Sequence, residues 1–522
     1  MIIDSYEIKS EFFKAKVNIE DSPKDFVPNY LLRTPVVGKA TLSVLEDVKD
    51  ELISKIRIVS SEFLDSKKTK EIKNNFIKRA KELLSKKLTD ASPQLIQVLT
   101  GMLVDDMFGL GIIETLLRDD YLEEIVVNGA NNNIWVYHKK YGWLKTNIIV
   151  PSEMQIKNYA DLVGRRVGRQ INNLHPLMDA HMTSGDRINA TLYPISSHGN
   201  TITIRRFSRS PWTITDFIEN KSISLELAAF LWMAIENETS MIVSGGTASG
   251  KTSLLNVLTP FIPPNQRIIS IEDTRELQLP EFLHWVPMTT RQPNPEGKGE
   301  INMLDILVNS LRMRPDRIVV GEVRRQREAE ILFEAMHTGH SVYATLHAET
   351  AEQTIRRLIN PPINIPESMI QTLPLICVAF RHRKLGIRRV LQVAEILDES
   401  SEYISKKTKN KIRSASNINI LYEWNPKTDK IKKVGESKRI FNELSLRSGM
   451  TREEIKKSLK EREIVLKYLV KHNIRTVNEV GKIISKYYVM PQKILKLIKK
   501  DASPLDVLEA KKEEKHAKSR RK

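Results

Sequence analysis

Eight consecutive residues carry the most specific chemistry in this chain: Gly245, Gly246, Thr247, Ala248, Ser249, Gly250, Lys251 and Thr252. Their spacing is G-x-x-x-x-G-K-[ST], a loop that cradles the phosphates of a nucleotide. Glycines let the backbone curl until its N–H groups point inward at phosphate oxygens. A helix starting at the end of the loop aims its positive end at the same anion. Lys251 then reaches the β- and γ-phosphates, and the Thr252 hydroxyl ligates the Mg²⁺ that travels with them. The implied ligands are ATP and Mg²⁺. The context agrees, because MIVS before the loop reads as a strand and SLLNVL after it reads as a helix.

Hydrolysis asks for more than binding. It needs a carboxylate to position water and positive charge for the transition state. Glu272, followed by Asp273, closes the apolar run in RIISIEDTREL, and Glu322 closes the one in RIVVGEVR. In a parallel sheet the C-terminal ends of strands line the ligand crevice, so both carboxylates would face the phosphates. Gly321 stands where the usual pattern of four apolar residues would end in Asp. Spacing alone leaves open which of Glu272 and Glu322 is the general base. In TGHSVYATLHAE, His340 and His347 bracket a predicted six-residue strand. Two such histidines could sense the γ-phosphate or carry charge to a neighbouring subunit. No third ligand lies at a spacing that would make them a metal site.

The elements that must position these residues alternate. From about residue 213 helices and strands follow one another, which argues a parallel sheet covered by helices. Residues 212–415 therefore read as an α/β phosphate-loop ATPase domain. Residues 116–211 read as a small α+β sheet domain, with alternating β-branched and aromatic residues and a turn at Asn128-Gly129. Residues 1–115 read as an N-terminal helical region. Pro23, Pro28 and Pro35 break its first forty residues, and apolar side chains at Leu42, Leu45, Val48, Leu52 and Ile56 mark one helix face. Residues 416–522 read as a helical C-terminal extension with a basic tail; Thr451 and Glu454 fit a capping box there.

Bulk properties bound the function. The chain has 522 residues, a net charge of +18 and a single cysteine, Cys377. One cysteine excludes an intrachain disulfide and any CxxC zinc site, so no zinc is expected. The N-terminus has charges where a signal peptide needs an apolar core. The longest apolar run, Leu225 to Ile235, is too short to span a bilayer, so a membrane role would be peripheral. The positive charge suits an acidic partner or an anionic surface.

Taken in order, GGTASGKT, IEDTREL, VVGEVR and TGHSVYATLHAET resemble the secretion and pilus-assembly ATPase superfamily. This superfamily powers type II secretion, type IV pili, the archaeal flagellum and related conjugation systems. FEAMHTGHSVYATLHAETAEQTIRRLINPPINIPES and ISKYYVMPQKILKLI are similar to its archaeal branch. The missing Gly after GEVR tilts the resemblance towards a pilus or secretion system and away from the flagellar motor. The resemblance implies a RecA-like motor domain and a homohexameric ring. Such a ring docks on a polytopic inner-membrane platform protein, at the cytoplasmic face of the cell membrane, where anionic lipid could assist. It also implies a hinge near residues 208–215, with Glu272 as general base and Glu322 near Mg²⁺ and water. His340 and His347 become the histidine box, and Arg187, Arg205 and Arg206 become candidate arginine fingers. A nucleic-acid translocase or a conjugation ATPase moving DNA is the alternative. Aromatics at only 6%, with no basic-aromatic stripe, argue against it.

Overall fold

The computed structural model describes residues 1–22, 25–35, 37–55, 66–182, 185–207, 211–294, 296–397 and 418–511. The expected hinge falls partly on residues 208–210, and most of the basic tail on residues 512–522; both stretches lie outside the described residues. The chain divides into two units, residues 1–209 with 294–296, and residues 210–293 with 297–522.

In the first unit the elements run β1 (Ile2–Lys9), β2 (Lys14–Glu20), β3 (Asn29–Arg33), α1 (Lys39–Lys55), α2 (Ser66–Lys87), α3 (Pro93–Phe108) and α4 (Ile113–Leu116). Then follow β4 (Leu122–Asn128), β5 (Asn133–His138), β6 (Gly142–Ile149), α5 (Glu153–Arg166), β7 (Leu177–His181), β8 (Arg187–Thr191) and β9 (Thr201–Arg205). All nine strands form one sheet, in the order β1-β2-β3-β6-β5-β4-β9-β8-β7. Strands β1 to β3 correct the reading of residues 1–115 as a helical region whose first forty residues are merely broken by prolines. Ala15, Val17 and Ile19 on β2, with Tyr30 and Leu32 on β3, alternate into the sheet core. That period of two makes strands, and Pro28 immediately precedes one. Helices α1 to α3 do form, around a separate core that includes Val48, Phe76, Leu84 and Leu99. Helix α3 is started by the Ser92 side chain, which accepts from the Leu95 amide, and by Pro93 in its first turn.

The second unit opens with α6 (Ile214–Glu219), α7 (Leu225–Glu236), β10 (Met241–Gly245), α8 (Lys251–Leu258), β11 (Ile268–Glu272), β12 (Trp285–Thr289) and α9 (Met303–Ser310). It continues through β13 (Arg317–Val320), α10 (Gln326–His337), β14 (Ser341–Leu346), α11 (Ala351–Ile359), α12 (Glu367–Ile370), β15 (Leu375–His382) and β16 (Ile387–Ile396). Its sheet also has nine strands, β12-β11-β13-β14-β10-β15-β16-β17-β18. The first six are mutually parallel and the rest antiparallel. Strands β10, β11, β13 and β14 are buried at every residue. Such continuous apolar runs belong to a parallel sheet covered on both faces. The fold is α/β and RecA-like.

The C-terminal region was expected to be helical from residue 416. Instead β17 (Ile418–Asn425) and β18 (Lys430–Lys433) first extend the sheet of the second unit. Helices α13 (Arg439–Ser448), α14 (Arg452–Lys471), α15 (Val477–Val489), α16 (Pro491–Lys499) and α17 (Pro504–Glu509) follow. They share one core with α7 and α8, so the extension is part of the second unit. Thr451 and Glu454 make the reciprocal capping box at the start of α14.

Candidate functional site

The glycine-rich loop of residues 245–252 joins β10 to α8 at the C-terminal edge of the second unit's sheet. Strand β10 lies between β14 and β15, so both neighbours can place residues beside the loop. Two loop residues are left-handed, Ala248 at φ 58° and Gly250 at φ 89°. At Gly245 no side chain fits, because a Cβ would stand 2.5 Å from the Ala379 carbonyl oxygen. Inside the loop, the Ser249 hydroxyl donates to the Gly246 carbonyl at 2.8 Å. The Lys251 ammonium donates to the carbonyls of Gly245 and Gly246 at 3.0 and 3.2 Å. Burial holds the Lys251 pKa below its usual value, while Glu322 and then Glu276 pull it back up. Thr252 sits beside Lys251 in the first turn of α8.

Both carboxylates stand at strand ends. Glu272 closes β11, and Glu322 lies two residues past β13, which pairs with β11 in parallel. Glu272 is 2% exposed. Its Oε1 accepts the amides of Glu276 at 2.8 Å and Leu277 at 3.1 Å. Its buried Oε2 has no hydrogen-bond partner among the described residues. Burial pushes the Glu272 carboxyl up to about 7, against the two amide bonds that lower it. Gly321 lies against this side chain, where an added Cβ would be 3.4 Å from the Glu272 Cγ. The glycine in place of the usual Asp thus leaves room for a buried glutamate next door. Glu322 is more open and accepts twice from Arg324, at 2.7 and 3.0 Å.

The two histidines part company. Strand β14 is parallel to β10, so His347 emerges beside the phosphate loop, and its Nε2 is 3.0 Å from the Thr247 hydroxyl. His340 precedes the strand at its other end, about 20 Å away for six residues of strand. There its Nδ1 is 3.2 Å from the Thr338 hydroxyl. The expected box is therefore one histidine at the loop and one at the opposite edge of the sheet.

The three arginines lie in the first unit. Arg187 makes a two-point ion pair with Asp179, at 2.6 and 3.0 Å. Arg205 pairs across the sheet with Arg187 on β8 and with Glu124 on β4. Arg206 is buried to 5% side-chain exposure. It donates to the carbonyls of Leu117 at 2.9 Å and Leu122 at 3.0 Å, and to that of Asp119.

Sequence reasoning passed over two arginines at the loop edge. Arg388, from β16, donates to the Ala248 carbonyl at 3.2 Å. Arg324 bridges Glu322 and Asp273. Neither carries a local signal, since each is one basic residue among 82. A Mg²⁺ ion fits this donor set, because Thr252 and Glu322 offer hard oxygens at the loop edge and a nucleotide supplies the rest.

Residues 107–385 match the family model described as type II/IV secretion system protein. An uncharacterised protein of Methanocaldococcus jannaschii is 36% identical over 397 residues, covering 72% of this chain and 69% of the relative. A putative conjugal transfer protein of Mycobacterium tuberculosis is 30% identical over 264 residues, 49% of this chain and 74% of that one. Among solved structures, the VirB11 ATPase of the Brucella suis type IV secretion system aligns with a TM-score of 0.28 at 24% identity, covering 56% of this chain and 94% of that one.

Proposed function

The chain belongs to the type II/IV secretion system protein family, and from that membership we propose that it is an Mg²⁺-dependent ATPase, a motor for secretion or for assembly of a type IV pilus-like filament. The observation that carries this reading is the pairing of a complete phosphate loop with Glu272, a buried carboxylate with one oxygen unpartnered among the described residues, at a strand end on the same edge of the parallel sheet.

In the proposed mechanism, loop amides and Lys251 hold the β- and γ-phosphates. Thr252, with Glu322 through water, would hold a Mg²⁺ ion, which would neutralise phosphate charge. The unpartnered Oε2 of Glu272 takes a proton from the attacking water as the new P–O bond forms and the bond to the β-phosphate oxygen breaks. A carboxyl with a pKa of about 7 suits that task, being basic enough to accept the proton and still substantially ionised at neutral pH. His347, already at Thr247, is placed to register the terminal phosphate. His340, at the other end of β14, is proposed to carry charge towards a neighbouring subunit.

The motor is proposed to work as a homohexamer at the inner face of the cell membrane. There it acts on a polytopic platform protein, with anionic lipid as a further partner. Arg187 and Arg205 are the proposed arginine fingers. Arg206, with its guanidinium committed to backbone carbonyls, fits a role in holding its own unit together. The second reading, a conjugation ATPase that moves DNA, is favoured by the mycobacterial relative. Stimulation of turnover by DNA would select it.

The test is steady-state ATPase activity of the full chain against protein concentration, with and without Mg²⁺, beside Lys251→Ala. Activity that needs Mg²⁺, vanishes in the variant and rises steeply per chain with concentration supports the shared-site motor. Activity flat with concentration withdraws the ring, and activity unchanged in Lys251→Ala withdraws the site.

A further inference from the structure

Arg324 occupies a position that the mechanism above leaves idle. Its Nε and Nη2 both donate to one oxygen, Oε2 of Glu322, at 3.0 and 2.7 Å. Its Nη1 donates to Oδ2 of Asp273 at 2.9 Å. Asp273 directly follows Glu272 at the end of β11. The guanidinium therefore spans the two strand ends that carry both carboxylates. Its backbone is fixed, because the Arg324 and Arg325 amides both donate to Glu328, at 3.0 and 3.1 Å. The side chain itself is 59% exposed, and its partners Asp273 and Glu322 are 41% and 28% exposed.

These features separate a structural arginine from a movable one. Ion pairs this open are weak, so exchanging a partner costs little. Arg206, buried on three carbonyls, shows what a fixed guanidinium in this protein looks like. Arg324 is also within electrostatic reach of Lys251: its charge lowers the Lys251 pKa, while that of Glu322 raises it. A nucleotide in the loop would bring several negative charges to this spot. A guanidinium edge offers two parallel N–H groups, which match two phosphoryl oxygens better than the single carboxylate oxygen they now share.

We propose that Arg324 is a catalytic arginine supplied from within the same chain: its Nε–Nη2 edge turns from Glu322 to the terminal phosphoryl group of bound nucleotide, while Nη1 keeps its hold on Asp273. The arginine makes and breaks no covalent bond. It meets the negative charge that builds on the phosphoryl oxygens and leaves the Glu322 carboxylate for the water shell of the metal. Asp273 is the positioning residue, keeping the guanidinium at the edge of the site during the exchange. This inference rests on the ATPase reading and adds to it a charge donor that needs no neighbour.

The test compares full-length wild type with Arg324→Gln, Arg324→Lys and Asp273→Asn. Three quantities are measured: affinity for a fluorescent ADP, turnover of ATP, and retention of ADP in the presence of Mg²⁺ and aluminium fluoride, which mimics the transferring phosphoryl group. In Arg324→Gln, ADP affinity is expected within threefold of wild type. Turnover should fall by about 100-fold or more, the usual cost of losing one transition-state donor, and fluoride-dependent retention should disappear. Arg324→Lys should recover part of both, and Asp273→Asn should lose about tenfold in turnover with retention weakened. Arg324→Gln with near-normal turnover and retention overturns the proposal. So does a loss of ADP affinity in step with turnover, which would mark a structural role. A wild type that binds ADP without turning over ATP sinks the ATPase reading itself, and this inference with it.

Discussion

Glu272 keeps one carboxylate oxygen against two backbone amides and leaves the other buried with no hydrogen-bond partner among the described residues. As a base it must be ionised, so turnover is expected to rise with pH through about 7 on the acidic limb. Glu272→Gln should lose that limb and drop turnover by about 100–10,000-fold while ADP affinity holds. A variant that loses ADP affinity with turnover per bound nucleotide intact removes the role. The same group bears on stability. A carboxyl raised in the folded state binds its proton more tightly there than in the unfolded chain. The stability this gives is full below the unfolded value of about 4.5 and is lost as pH rises through about 7. Glu272→Gln, which stays neutral, should therefore melt above wild type at pH 8 and close to it at pH 5, by on the order of 1–3 kcal/mol. Melting curves at the two pH values check this. Glu272 and Glu322 could be picked out from sequence because each sits where an apolar run stops, and Lys251 because of its place in the glycine-rich loop. Arg324 and Arg388 could not, because their meaning comes from which strand end or loop carbonyl lies opposite.

At the scale of elements, the room around Glu272 is set by Gly321. A Cβ there would touch the Glu272 Cγ and Cα at 3.4 and 3.5 Å, ordinary contact distances, so one methyl fits and little more. Gly321→Ala should fold with less than about 1 kcal/mol lost, whereas Gly321→Val should cost about 1–3 kcal/mol through overpacking and displace the carboxylate. Thermal melts and turnover of the pair distinguish the two. Strand β14 explains the other departure from the sequence reading. A box of two histidines looks compact in the chain, but a strand runs straight, and its ends are far apart. Strands β1 to β3 are not legible locally, because a period of two that spans only Ala15 to Ile19 is too short to stand apart from proline-broken loop sequence. Strands β17 and β18 were hidden for a different reason. They pair only with their neighbours at the sheet edge, a long-range fact that helix-rich sequence nearby obscures.

At the scale of the whole molecule, the C-terminal helices are built into the motor unit. Arg462 on α14 is 3% exposed; it pairs with Glu236 and lies 5.5 Å over the Trp232 ring and 5.4 Å over that of Tyr487. The Trp232 indole donates to the Tyr488 hydroxyl at 2.7 Å, which donates to the Phe261 carbonyl at 2.6 Å. Arg462→Met should cost about 3 kcal/mol, because a charge network is broken where water cannot compensate. Ending the chain at residue 436 should leave an insoluble product, since α7 and α8 would expose the core they share with α13 to α17. Circular dichroism and sedimentation of the two variants give the answer. Strand–helix alternation made the parallel sheet legible in outline. Which later segments complete its core could not be read, because that depends on tertiary packing and not on local pattern.

The single cysteine also has a practical use. Cys377 lies on β15 with no exposed surface, and burial pushes its thiol up to about 12. A reagent that needs thiolate will pass it by in the folded protein. Cysteines can therefore be introduced at chosen surface positions and labelled selectively, with the native residue left in place. The native thiol then serves as a built-in clock: the rate at which it becomes modifiable reports how often the central sheet opens.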